Sequence, residues 1–87
     1  MYSQVVTLQN ATGLHARPAT QFVNLATTFQ SQISISVADK DGDAKSILKV
    51  LSLGIAQGTQ VKIAAEGHDE KTAVESLVML IESGFDK

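Results

Sequence analysis

Hydrophobic positions recur along this chain with a period of two in some stretches and of three to four in others. In residues 2–8, β-branched and aromatic side chains favour a strand that carries Tyr2, Val6 and Leu8 on one face. From Ala19 the apolar residues fall at 19, 22, 23 and 26, the i, i+3, i+4, i+7 stripe of a helix, and Phe29 extends it. Pro18 has no amide hydrogen and fits only in a first turn, so this helix begins near residue 16 and His15 falls at its N-cap. Ile33, Ile35 and Val37 then alternate with Gln32, Ser34 and Ser36, a half-buried strand with a serine-rich outer face. In the following ADKDGDA, Asp41-Gly42 is the strongest hairpin signal and predicts the turn there, with a short strand returning near Ala44.

Ser46 is a good N-cap for a short helix over ILKVLSL, which Gly54 can close. Gln57-Gly58 turns the chain into a strand over residues 60–66, with Val61, Ile63 and Ala65 on one side. Asp69 then caps a last helix whose apolar positions 73, 74, 77, 80 and 81 form one stripe, ending at Gly84. The element order is βαββαβα. Strands polar on one face need helices only on the other, so the expected fold is α+β, an open-faced β-sandwich: a four-stranded antiparallel sheet covered on one face by three helices. No linker, repeat or low-complexity segment interrupts residues 1–87, so one domain is expected over that span.

Composition narrows the function mainly by exclusion. The chain has no cysteine, which removes disulfides and thiolate metal sites. A net charge of −2 carries no bulk signature of nucleic-acid or membrane binding, so any charged partner must be read by a local patch. No apolar run approaches the roughly 20 residues that span a bilayer, and MYSQVVTLQN lacks the pattern of a secretory signal; a cytoplasmic protein without membrane insertion is expected. There is no metal-ligand spacing, glycine-rich phosphate loop or Ser/His/Asp pattern, so no metal or other cofactor is expected.

The remaining chemistry sits in GLHARPAT, residues 13–20. A helix N-terminus offers unpaired amides and about half a positive charge, so His15 stands where a phosphate would sit. Arg17 can add charge-assisted hydrogen bonds to phosphoryl oxygens. A histidine that accepts a phosphoryl group needs an unprotonated ring nitrogen, donors for the incoming anion and access from solvent. The competing reading is that His15 is only a cap residue, since no carboxylate lies beside it in sequence to orient the ring. His68, in the polar turn GHDE, reads as solvated surface.

GLHARPA, KSIL, SLGIAQG and AEGHDEKTAVESL together, over essentially the whole length, closely resemble the HPr family, the histidine-containing phosphocarriers of the bacterial phosphoenolpyruvate:sugar phosphotransferase system. The resemblance implies that His15 is phosphorylated on Nδ1 by phospho-enzyme I and passes the group to a histidine of an enzyme IIA domain. It implies that Arg17 assists transfer and that the amides of Ala16 and Arg17 hold the phosphoryl oxygens. A protein of this kind is a stoichiometric carrier without a cofactor, not an enzyme, and acts as a monomer in transient complexes without contacting nucleic acid directly.

For partner docking the family uses the exposed faces of the first two helices, and the matching positions are Thr20, Ile47, Leu48, Lys49 and Leu51. Arg17, Lys45 and Lys49 are expected to form a local positive surface that steers acidic partners. Ile47 and Leu51 also fit a core role, which makes Leu48 the better candidate for an exposed anchor.

In many Gram-positive relatives the serine matching Ser46 is phosphorylated by an HPr kinase/phosphorylase, and the product binds a catabolite-control transcription factor. Here Ile47 and SLG match the regulated type, whereas Lys49 matches enteric relatives; as an N-cap, Ser46 needs no such role. Three classes stay open at this level: a sugar-transport phosphocarrier, a nitrogen-type or regulatory paralogue, and a binding module without phosphorylation.

Overall fold

The computed structural model describes residues 1–11 and 13–85 of the chain. Its elements are β1 (Tyr2–Thr7), α1 (Ala16–Ala26), β2 (Gln32–Val37), β3 (Lys40–Asp43), α2 (Ile47–Ser52), β4 (Gln60–Glu66) and α3 (Glu70–Glu82). The strands form one antiparallel sheet in the order β1-β4-β2-β3. With period-two side chains, this register puts Val6, Ile33, Ile35, Ile63 and Ala65 on the buried face and Ser3, Ser34, Ser36 and Lys62 on the open one.

All three helices cover that buried face. α1 contributes Ala19, Phe22, Val23 and Ala26, and α3 contributes Ala73, Val74, Leu77, Val78 and Ile81. The stripe of α3 therefore runs through Val78, and Leu80 is only half-buried at its margin. α1 stops at Ala26, so Phe29 packs against the core from the turn beyond the helix. No described helix is long and apolar enough to cross a membrane.

Asp41-Gly42 does not make the hairpin turn. Both residues lie inside β3, where Asp41 pairs with Ser36 and Gly42 with Ile35, and the turn is the two-residue link Ala38-Asp39. Gly42 is buried under α2, where a Cβ would stand 3.4 Å from the Lys49 carbonyl, an ordinary contact distance. The turn is made with Ala38 at φ 54, a left-handed conformation that costs a non-glycine residue roughly 1–2 kcal/mol. Ala38→Gly should therefore stabilise the fold by about 0.5–1 kcal/mol, after the added freedom of the unfolded chain is subtracted. A urea midpoint that stays put or falls would refute this.

Asp69 occupies the N-cap of α3, yet its carboxylate makes no cap bond. It reaches instead to the start of β2, where it accepts the Gln30 amide at 2.9 Å, the Ser31 amide at 2.9 Å and the buried Ser31 hydroxyl at 2.5 Å. Those bonds, led by the Ser31 hydroxyl, lower its pKa from 3.8 to about 2. A depressed carboxylate stabilises the fold above its unfolded pKa, and that contribution is lost as pH falls from about 4 through 2. Asp69→Asn should unfold at lower denaturant at pH 7 and lose less stability between pH 5 and 2. Parallel acid titrations of the two proteins would exclude this linkage.

Candidate functional site

His15 is the N-cap of α1, in an extended conformation with φ −89 and ψ −168. Its side chain makes no capping bond and is exposed, while its carbonyl accepts the Ala19 amide at 2.8 Å. Pro18 has no amide proton, so beyond the amide of His15 itself the donors of this helix end reduce to Ala16 and Arg17, whose amides find no acceptor among the described residues. An exposed imidazole, two backbone donors and a guanidinium on adjacent residues can hold a small oxyanion against the helix N-terminus.

The loop before His15 is held by the backbone of two neighbours. Gly13 has φ 69 and lies against the segment after α2, and the Leu14 amide donates to the Ile55 carbonyl at 2.9 Å. Asn10 turns the loop, its Nδ2 donating to the Gly13 carbonyl at 2.6 Å and its own carbonyl accepting the Gly13 amide at 3.0 Å. Gln57 adds a bond from Nε2 to the Gln9 carbonyl at 3.1 Å. His15 therefore stands at the start of α1, on a loop bonded to the segment that follows α2.

His15, Ala16, Arg17 and Pro18 line an open cleft of about 450 Å³ with Asn10, Gln21, Gly84 and Phe85. Gln21 follows Arg17 by one helical turn, so its place is legible from spacing. Gly84 and Phe85 come from the far end of the chain, and nothing in their local sequence announces a role beside His15. They turn the chain after α3, at φ 78 and φ 64.

The other expected positions separate into different environments. Leu48 is 77% exposed and Leu51 39%, whereas Ile47 is half-buried against the core. Thr20 is exposed, and its hydroxyl donates to the Ala16 carbonyl at 2.7 Å. Lys49 is exposed, but Lys45 is half-buried and its Nζ donates to the Phe29 carbonyl at 2.7 Å, beyond the end of α1. Ser46 caps α2 through a 3.4 Å bond from the Lys49 amide. His68 is exposed. Among the described residues there is no group of three or more His, Cys, Asp or Glu placed to hold a metal ion.

The family model described as "PTS HPr component phosphorylation site" matches residues 2–83. The phosphocarrier protein HPr of Haemophilus influenzae is 47% identical over 81 residues, 93% of this chain and 95% of that protein. The phosphocarrier protein NPr of Proteus mirabilis is 39% identical over 83 residues, 94% of this chain and 92% of that one. Among solved structures, the crystal structure of HPr-C-His from Thermoanaerobacter tengcongensis superposes with a TM-score of 0.97 at 48% identity, over 100% of this chain and 98% of that one. The match runs through every element of the open-faced sandwich and the loop that carries His15, and the chain belongs to the HPr family of phosphocarriers of the phosphotransferase system.

Proposed function

We propose that His15 accepts a phosphoryl group from phospho-enzyme I and hands it to an enzyme IIA domain during bacterial sugar uptake. In the first step the lone pair of Nδ1 forms the new P–N bond as the P–N bond to the donor histidine breaks, and the second step repeats this exchange toward the acceptor histidine. The amides of Ala16 and Arg17 and the Arg17 guanidinium hold the phosphoryl oxygens, so the chemistry is positioning and charge stabilisation, with the partner completing the site. The observation that carries this reading is the exposed N-cap imidazole beside two amides that have no acceptor among the described residues. Incubation with active enzyme I, magnesium and phosphoenolpyruvate, followed by peptide mapping, should find one acid-labile phosphate on His15. A phosphate elsewhere, or none, would refute it.

The resemblance to NPr supports a second reading, in which the same histidine serves nitrogen-type partners. Transfer rates measured with sugar-type and nitrogen-type enzyme I and enzyme IIA separate the two, since the faster set identifies the pathway.

Ser46 is proposed as a regulatory site for an HPr kinase/phosphorylase, with the phosphorylated chain then bound by a catabolite-control transcription factor. A phosphate there adds up to about two negative charges at the start of α2, beside Leu48 and Lys49. Ser46→Asp should slow phosphorylation of His15. Ser46→Ala should leave that rate unchanged and cost about 0.5–1 kcal/mol, the low end for an N-cap, because its bond is long at 3.4 Å. Equal transfer rates for Ser46→Asp and the parent chain would count against regulation.

A further inference from the structure

The cleft beside His15 has one wall that comes from the other end of the chain. Glu82 ends α3, and the chain then reverses through Gly84 at φ 78 and Phe85 at φ 64. The Gly84 amide donates to the Ile81 carbonyl at 3.1 Å and the Phe85 amide to the Leu80 carbonyl at 3.3 Å, so both residues are bonded back onto the last turn of α3. One left-handed glycine is enough to end a helix, and a bulky side chain rarely sits on that backbone. The second left-handed residue therefore calls for a reason beyond helix termination.

The surroundings of Phe85 supply one. The residue is half-buried and packs against the core, and it also lines the cleft of about 450 Å³ together with His15, Ala16 and Arg17. Asn10, Arg17 and Gln21 give that cleft side-chain hydrogen-bonding groups, whereas Phe85 gives it none. A phosphoryl group on Nδ1, held by the amides of Ala16 and Arg17, shares the cleft with the Phe85 side chain, because the same two residues line it. Hydrolysis of that group needs a water beside it. The water oxygen bonds to phosphorus as the P–N bond breaks, one proton of the water goes to the imidazole nitrogen, and inorganic phosphate leaves. Such a water must be held by hydrogen-bond partners, and an aromatic hydrocarbon wall offers none.

We infer that Phe85 is a water screen for the phosphohistidine: its side chain fills the part of the cleft where a hydrolytic water would otherwise stand, and so prolongs the life of the carried phosphoryl group. The inference rests on the proposed phosphocarrier reading and adds to it a residue whose task falls between the two transfers, while no partner is bound. A docked partner excludes water itself and brings its accepting imidazole in from the solvent side of the open cleft, so the screen slows loss without blocking transfer. The two left-handed residues are what carry the chain from the end of α3 back to the start of α1.

The test measures how fast the phosphorylated full chain loses its phosphate at neutral pH after enzyme I, magnesium and phosphoenolpyruvate have been filtered away. Intact mass against time gives the half-life, and a thermal melt of each sample keeps the assay below its Tm. Phe85→Gly removes the ring and suits the φ of 64, and Phe85→Asn is a second variant that tolerates it, so both should keep the fold. Each should shorten the half-life at least about threefold, whereas Phe85→Leu, which keeps an apolar wall, should outlast both. A residue that only anchors the chain to the core would move the Tm and leave the half-life of the folded protein alone. A change of less than about threefold in the two ring-less variants, or a Phe85→Leu chain as short-lived as they are, would overturn the inference and leave the carrier reading intact. Failure of the parent chain to take phosphate from an active enzyme I is a different result, because it overturns the carrier reading and this inference with it.

Discussion

His15→Ala should take up no phosphoryl group from phospho-enzyme I under conditions that label the parent chain to one phosphate, and its fold should be nearly untouched. The side chain is exposed and makes no capping hydrogen bond, so its loss removes neither a packed surface nor a backbone partner. Surface changes of that kind fall within about 0.5 kcal/mol, or roughly 2–4 °C for a domain of this size. The carbonyl that closes the first turn belongs to the backbone and is retained. Intact mass after incubation with the donor, next to a thermal melt of the same sample, gives both numbers. Residual acid-labile phosphate on the variant would mean that another histidine accepts the group, and His68 would be the one to map. A large drop in Tm would instead make His15 a structural cap.

The second large effect lies two residues earlier, where Gly13→Ala should destabilise the protein by about 2–4 kcal/mol, roughly 10–25 °C in Tm. Two costs add. The residue has φ 69, which costs any L side chain about 1–2 kcal/mol. A Cβ would also lie 2.6 Å from the Ile55 carbonyl oxygen and 3.0 Å from the Ala56 Cα, both backbone atoms that no side-chain rotation can clear. To relieve the overlap the loop must leave Ile55, which breaks the 2.9 Å bond from the Leu14 amide and releases His15 from its position. Phosphorylation should therefore slow together with the loss of stability. Gly58→Ala is the control: its φ is 85 but nothing lies within 4 Å, so it should cost only about 1 kcal/mol. Similar Tm values for the two variants would show that the contact with Ile55 does not matter.

Local pattern carried most of the fold, and the particular failures show why the rest was not legible. The stripe at Ala19, Phe22, Val23 and Ala26, the alternation around Ile33 and Ile35, and Pro18 after His15 all report on neighbours within a few residues, where helix and strand geometry fix who shares a face. His15 was legible for the same reason, since a proline in the first turn and an apolar stripe behind it locate an N-cap without any tertiary information. Asp41-Gly42 misled because a turn dipeptide can also pair inside a strand, and only the register against Ser36 and Ile35 tells the two apart. Asp69 misled likewise: an aspartate ahead of a helix reads as a cap until Ser31, 38 residues away in sequence, takes its carboxylate.

Short-range spacing by itself determined the βαββαβα order, the α+β class and the imidazole at the mouth of α1, because each depends on periodicity and on one residue's missing amide proton. Tertiary structure alone decided the strand order β1-β4-β2-β3, the cleft wall from Gly84 and Phe85, and the bond that ties the Lys45 ammonium to the Phe29 carbonyl. Those features depend on which distant groups meet once the sheet closes over its core. A side chain's charge or hydrogen-bonding capacity is visible in the sequence, but the partner that uses it is set by the fold.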